Sequence, residues 1–122
     1  GYRRYGQDGN GGGERRRLLL ARASLSGARL LLVDEPAEHL DPKSADAMVD
    51  WLEGLTRDGQ RRGLVLATHR LSALERMDEV VMLGRDPSGT ERPARIIARG
   101  THAALLASSP EYRWALSREH AA

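Results

Sequence analysis

The sequence predicts a layered α/β domain in which parallel strands are flanked by helices and are followed by a β-hairpin and further helices. Four short apolar runs bounded by glycine, proline or charged residues predict strands, and they cover residues 30–35, 64–67, 80–83 and 94–98. Between the first two runs, apolar residues recur at spacings of three and four, which predicts a helix with one buried face. These positions are Ala45, Met48, Leu52 and Leu55. The order of the segments, in which helices and strands alternate before a hairpin and further helices, indicates this layered α/β class.

The first half of the chain begins with a polar, glycine-rich stretch, residues 1–13, which predicts a loop. A helix is expected over residues 14–25. The next run ends at Pro36, because proline cannot donate a hydrogen bond to a sheet ladder. Asp41 is predicted to cap the following helix, with Pro42 at its first position.

The second half contains a brief helical segment at residues 71–75 and a turn-rich insertion at residues 84–93. The insertion predicts that the strands on either side of it pair as a hairpin. Thr101 is predicted to cap a short helix that continues to Leu106, and residues 111–120 predict a last helix. No internal repeat and no clear domain boundary are visible.

Composition excludes several classes of site. The 122 residues contain no cysteine, so a disulfide or a thiolate metal site is excluded. Lys43 is the only lysine among 19 basic residues, and the net charge is only +2. Because the arginines are scattered among acids and aromatics total 4%, nucleic-acid binding is not expected. No apolar run approaches the ~18 residues of a membrane helix.

Two of the predicted strands end in polar residues, which would lie on one edge of the sheet if these strands are parallel neighbours. Asp34 and Glu35 end the first buried strand, and His69 follows the second. The carboxyl ends of parallel strands meet at one edge of a sheet, where open α/β folds bind ligands. Nucleoside triphosphate hydrolysis needs a carboxylate for magnesium and an acceptor for the attacking water. These residues alone are also consistent with a site-free interpretation, in which Asp34 and Glu35 form an acidic turn and His69 is an ordinary loop residue.

The glycine-rich stretch leads into a helix whose first turns carry Arg15, Arg16 and Arg17. Cations there are unfavourable for the helix dipole unless an anion binds, which suggests a phosphate-facing element. The alternative is a solvated arginine face on a surface helix.

Taken together, these segments resemble the second half of an ABC-type ATPase domain. Gly11-Gly12-Gly13-Glu14 resembles the signature motif, Leu32-Val33-Asp34-Glu35-Pro36 the Walker B motif, Leu40-Asp41 the D-loop and Ala67-Thr68-His69-Arg70 the H-loop. Gly100-Thr101-His102 with Leu105-Leu106 is similar to the tail of exporter-type domains. The resemblance covers essentially residues 1–122, and it implies a partial P-loop NTPase fold.

The resemblance implies a role for each matching residue. Asp34 would hold Mg²⁺, and Glu35 would act as general base for the water that attacks ATP. His69 would contact the γ-phosphate. Gly11, Gly12, Gly13 and Glu14 would face the nucleotide held by a partner domain, and Asp41 would lie at the interface between the paired domains.

The resemblance also implies partners and a location. One implied partner is a second ABC ATP-binding domain, which would form a heterodimer with this one as in heterodimeric exporters. The others are transmembrane domains outside this chain, which would hold it at the cytoplasmic face of the bacterial inner membrane. Residues 36–41 and 68–72 are similar to the thiol exporter that supports cytochrome bd assembly, nearest its C-type subunit. Export of cysteine or glutathione is the resulting expectation.

The sequence departs from the family pattern in two places. It contains no P-loop motif, since Asp41-Pro42 precedes its only lysine, and the Q-loop is also missing. Asn10-Gly11 replaces the leucine and serine of the signature. These residues are therefore expected to be a fragment that is inactive alone. Two alternatives remain: a non-catalytic module that donates its signature face to another ATPase domain, and an ABC ATPase of the DNA-repair type.

Overall fold

A computed structural model describes residues 12–85 and 93–121. The chain divides after His69 into two units, a boundary that the sequence did not predict. The first unit contains α1 (Gly12–Leu25), β1 (Leu30–Asp34), α2 (Pro42–Leu55) and β2 (Gly63–Ala67). The second contains a 3₁₀ helix (Leu71–Arg76), β3 (Val80–Gly84), β4 (Arg95–Gly100), α3 (His102–Ser108) and α4 (Pro110–Ala121).

The strands β1 and β2 pair in parallel, which confirms the prediction that they are neighbours. Their register runs from Leu30 opposite Gly63 to Asp34 opposite Ala67. The pairing continues one residue beyond β1, because the Glu35 N–H donates to the Ala67 carbonyl at 2.8 Å. Both strands therefore end at the same edge, and this brings the residues after them together.

The strand β1 is buried on only one face, whereas the sequence predicted a fully buried strand. Leu31 is 6% exposed, but Leu30 and Leu32 are 54% and 74% exposed, and Val65 of β2 is 54% exposed. Side chains alternate along a strand, so these three exposed residues share one face. No described element of this unit covers that face, which explains the difference.

The helix α2 forms as predicted around its cap. Asp41 has extended backbone angles, and its carboxylate accepts a hydrogen bond from the Ser44 N–H at 3.2 Å. Ala45 and Leu52 are buried as expected, and Val49 joins them. The helix ends at Leu55.

The helix α1 begins two residues earlier than predicted, at Gly12. Glu14 lies in its first turn, where a carboxylate interacts favourably with the unpaired N–H groups and so stabilises a start just ahead of it. Gly12 and Gly13 are therefore helical and not part of the loop. Gly11, Asn10 and the rest of the predicted loop lie outside the described residues.

The second unit has its own core. β3 and β4 pair antiparallel, as the hairpin prediction required, with a register shift between Met82 and Leu83. Val80, Leu105 and Tyr112 are the buried centre. Thr101 caps α3 by accepting from the Ala104 N–H at 3.1 Å, as predicted. Within residues 12–85 and 93–121, no helix has the length and apolarity of a membrane span.

Candidate functional site

Glu35 lies one residue beyond β1, in a strained backbone conformation. Its φ is +45°, in the left-handed region that costs a non-glycine residue about 1–2 kcal/mol. Its N–H is held by the Ala67 carbonyl of β2, and the side chain is 21% exposed. Such strain persists only where surrounding contacts fix the residue, and here they fix it at the edge where both strands end.

The carboxylate of Glu35 is held by the two residues that follow β2. Its Oε1 accepts from the backbone N–H of His69 at 2.7 Å and lies 3.4 Å from His69 Nε2. Its Oε2 accepts a long hydrogen bond from Thr68 Oγ1 at 3.5 Å. The structure therefore brings Glu35 and His69 together, as their positions after parallel strands predicted.

His69 presents its ring to solvent. The side chain is 98% exposed, so packing does not account for its position. An exposed imidazole beside a partly buried carboxylate is free to donate a hydrogen bond to an incoming anion such as a phosphate oxygen.

Arg16 of α1 contacts the turn that follows β1. Its Nη1 donates to the Glu35 carbonyl at 3.1 Å and to the Glu38 carbonyl at 3.5 Å, and its Nη2 pairs with Glu38 Oε2 at 3.1 Å. Arg16 is thus bound to the protein's own turn. Of the three arginines considered for phosphate contact, Arg15 and Arg17 remain exposed.

Asp34 is the last residue of β1, and its carboxylate is exposed. An exposed carboxylate at a strand end suits Mg²⁺, which usually takes one or two protein carboxylates and fills its other positions with water and phosphate oxygens. The described residues contain no cluster of three or more potential metal ligands, and this mode of Mg²⁺ binding does not need one. The donor set therefore fits the ion that the sequence predicted.

The other predicted residues have separate surroundings. Asp41 is occupied as the cap of α2, and hydrogen bonds from the Ser44 side chain and backbone lower the pKa of its carboxyl below the usual value. Gly12, Gly13 and Glu14 form the first turn of α1, with free N–H groups that suit an anion. Whether they face a nucleotide stays a prediction, as does the interface role of Asp41.

Two residues at the site were not assigned by the sequence. Thr68 belongs to the segment that resembles the H-loop, and Arg16 belongs to the basic run at the start of α1. A signal for Thr68 was present, since it precedes His69 directly. None existed for Arg16, because its contacts span 19 and 22 residues along the chain.

The arrangement can polarise a water molecule. A carboxylate has about four lone-pair sites, and the contacts from Thr68 and His69 leave some of them open. An acceptor fixed at a strand end can take a proton from a water that attacks a nearby phosphoryl group.

Comparison with solved structures gives the fold. UvrA2 from Deinococcus radiodurans matches with a TM-score of 0.66 and 27% identity, over 84% of this chain and 12% of that protein. The chain has the fold of an ABC ATPase. The fold class predicted from the sequence is therefore confirmed. No protein-family model matches the chain.

Sequence comparison finds ABC ATP-binding/permease transport proteins. The mycobactin import ATP-binding/permease protein IrtA of Mycobacterium tuberculosis is 38% identical over 85% of this chain. The ATP-dependent lipid A-core flippase of Pectobacterium atrosepticum is 40% identical, and the glutathione/L-cysteine transport system ATP-binding/permease protein CydC of Escherichia coli is 37% identical, each over 83% of this chain. The chain spans only 11–16% of the length of these relatives.

Proposed function

We propose that this chain is the C-terminal part of the ATP-binding domain of an ABC-type exporter subunit, and that the complete subunit hydrolyses ATP to drive transport. One observation carries the proposal: the Glu35 carboxylate, at the edge where β1 and β2 end, is fixed by the His69 N–H at 2.7 Å. The ABC ATPase fold and the ABC transport proteins among the relatives support it.

Each residue has a defined task in this proposal. Glu35 accepts a proton from the water that attacks the γ-phosphate. The His69 ring donates to a γ-phosphate oxygen. Asp34 would hold Mg²⁺, which supplies charge neutralisation on the phosphates when bound. The N–H groups of Gly12 and Gly13, with Gly11 and Glu14 beside them, would face ATP held by a second ABC domain.

The proposal also assigns partners and a location. Asp41, at the start of α2, would lie against the second ABC domain, and the pair would be a heterodimer. The complete subunit would sit at the cytoplasmic face of the bacterial inner membrane, attached through transmembrane domains outside these residues. The two ABC domains would close on ATP and drive the membrane domains.

Steady-state ATP hydrolysis by the complete protein tests the proposal. Glu35→Gln removes the proton acceptor while keeping the size of the side chain, and we expect kcat to fall at least about 100-fold. Glu79→Gln is the matched control, because Glu79 forms a surface ion pair with Arg99 at 2.7 Å in the second unit. Wild-type protein without ATPase activity, or equal activity in Glu35→Gln, would refute the proposal.

For the substrate we propose a small thiol, cysteine or glutathione, in support of cytochrome bd assembly. Residues 36–41 and 68–72 support this, as does the glutathione/L-cysteine transport protein among the relatives. Uptake of labelled glutathione into inverted membrane vesicles is the test. ATP-dependent uptake is expected. ATP-dependent movement of a lipid without thiol uptake would instead favour the likeness to the flippases.

A further inference from the structure

We infer that Arg16 is a positioning residue that holds Glu35 in its active conformation by clamping the turn after β1. The inference rests on the proposed function, because it concerns how Glu35 performs ATP hydrolysis. Glu35 has a φ of +45°, and contacts from neighbouring residues must offset this strain.

Three of the hydrogen bonds that fix Glu35 act on different parts of the residue, namely its N–H, its carboxylate and its carbonyl. The Ala67 carbonyl of β2 accepts from its N–H at 2.8 Å. The His69 N–H, just after β2, donates to its carboxylate at 2.7 Å. Arg16 of α1 donates to its carbonyl at 3.1 Å. Two of these anchors hold the N–H and the side chain, so among the described residues Arg16 is the anchor that binds the carbonyl from outside the turn.

The guanidinium of Arg16 spans both ends of the turn. Within the turn, the Glu38 N–H donates to the Glu35 carbonyl at 3.3 Å. Arg16 binds that same carbonyl, and it also binds the carbonyl and the carboxylate of Glu38, at 3.5 and 3.1 Å. A planar fork with several donors can satisfy these acceptors together, whereas a lysine ammonium is a single point of charge. The clamp therefore opposes rotation of the Glu35 peptide towards ordinary backbone angles.

The clamp also joins two halves of the proposed chemistry. Arg16 lies one turn into α1, whose first residues, Gly12 and Gly13, are proposed to face ATP on the partner domain. Glu35 is proposed to act at the other end of the same contact. A shift of the start of α1 would thus move the Arg16 side chain and, through its hydrogen bond, the Glu35 carbonyl.

Three single variants of the complete protein test the inference through ATP turnover. Removal of the clamp in Arg16→Ala is expected to lower kcat by about 10- to 100-fold and to leave the KM for ATP within about twofold, since small displacements of a reacting group cost this much. Arg16→Lys keeps the charge without the fork and is expected to restore part of the loss. Arg22→Ala is the control, because Arg22 is an exposed arginine in the last turn of the same helix.

A double variant separates positioning from a general structural role. In the Glu35→Gln background the proton acceptor is already absent, so adding Arg16→Ala is expected to change the residual rate by less than about twofold. A role confined to folding would lower that rate further and would lower the amount of ATP bound per protein. The proposed function fails if the wild type has no ATPase activity. The inference alone fails if the wild type is active, Glu35→Gln is not, and Arg16→Ala retains full kcat.

Discussion

At the scale of single residues, the site combines a held carboxylate with a free ring. Glu35 is fixed through its backbone and its side chain, while the His69 ring is 98% exposed beside it. The two side chains therefore have different sensitivities to mutation. A change at Glu35 also disturbs the strained turn, whereas a change at the ring of His69 removes an exposed group that lies 3.4 Å from the Glu35 carboxylate.

His69→Ala in the complete protein is expected to lower kcat for ATP by about 10- to 100-fold, because one hydrogen bond to a charged group is lost. The free energy of unfolding should change by less than about 0.5 kcal/mol, since the His69 side chain is 98% exposed. His39→Asn is the control: it removes another exposed imidazole from a residue at φ +66°, which asparagine tolerates. Unchanged kcat in His69→Ala would remove the ring from the proposed mechanism.

At the scale of elements, the cap of α2 makes stability depend on pH. The pKa of Asp41 is lowered below 3.8 by hydrogen bonds from Ser44, so the folded state favours the ionised carboxyl. The contribution of the ionised Asp41 carboxyl to the free energy of unfolding is present above pH 3.8 and is lost as the pH falls through the folded-state pKa.

We expect Asp41→Ala to be less stable than the wild type at pH 7, with a gap that narrows as the pH falls below 3.8. Asp41→Asn keeps a capping side chain that does not titrate, so its stability at pH 7 should lie between those of the wild type and Asp41→Ala. The difference in stability between Asp41→Asn and Asp41→Ala should not narrow as the pH falls. Thermal unfolding followed by circular dichroism measures all three. A gap that stays constant down to pH 2 would contradict the role of the cap.

Tyr112 of α4 joins the 3₁₀ helix and α3 in the second unit. Its hydroxyl lies 2.7 Å from His102 Nδ1, and the other ring nitrogen of His102 is 3.8 Å from Glu75. Burial, followed by the nearby Glu75 charge, raises the pKa of Tyr112 above its usual value. The neutral phenol is therefore favoured in the folded state, and this stabilisation is lost as the pH rises above 10.

Tyr112→Phe should lower the free energy of unfolding at pH 7 by about 1 kcal/mol, because His102 loses a hydrogen-bond partner. Above pH 10 the difference in unfolding free energy between Tyr112→Phe and the wild type should shrink, because the wild type loses the stabilisation of its neutral phenol. Urea unfolding at neutral and alkaline pH is the measurement. A gap that widens with rising pH would mean that the pKa shift has the opposite sign.

At the scale of the whole molecule, the sequence predicted the elements better than their burial. The parallel pair, the hairpin and the capped helices followed from local patterns such as Asp41-Pro42 and Thr101. The exposed face of β1 did not, because an apolar run such as Leu30–Val33 is the same whether one or two layers cover it. Motif order likewise located Glu35 and His69, but the contact of Arg16 depends on the tertiary fold.

The exposed strand face predicts association of the 122-residue chain. Leu30, Leu32 and Val65 form an apolar surface on β1 and β2, and such surfaces promote self-association. Sedimentation velocity should show a mass that rises with concentration, and Leu32→Glu should suppress the rise. Leu25→Glu is the control, since Leu25 is 88% exposed at the end of α1 and belongs to neither strand. A wild-type chain that stays monomeric at high concentration would contradict this.

The central claim is that Glu35, held at the end of β1, is the acceptor for the water that cleaves ATP. Single-turnover release of phosphate from the complete protein, preloaded with ATP and then given Mg²⁺, tests it most directly. The wild type and Glu35→Gln should bind ATP in equal amounts, and only the wild type should release phosphate quickly. Release from Glu35→Gln at the wild-type rate would show that another group accepts the proton and that the strained turn serves a different purpose.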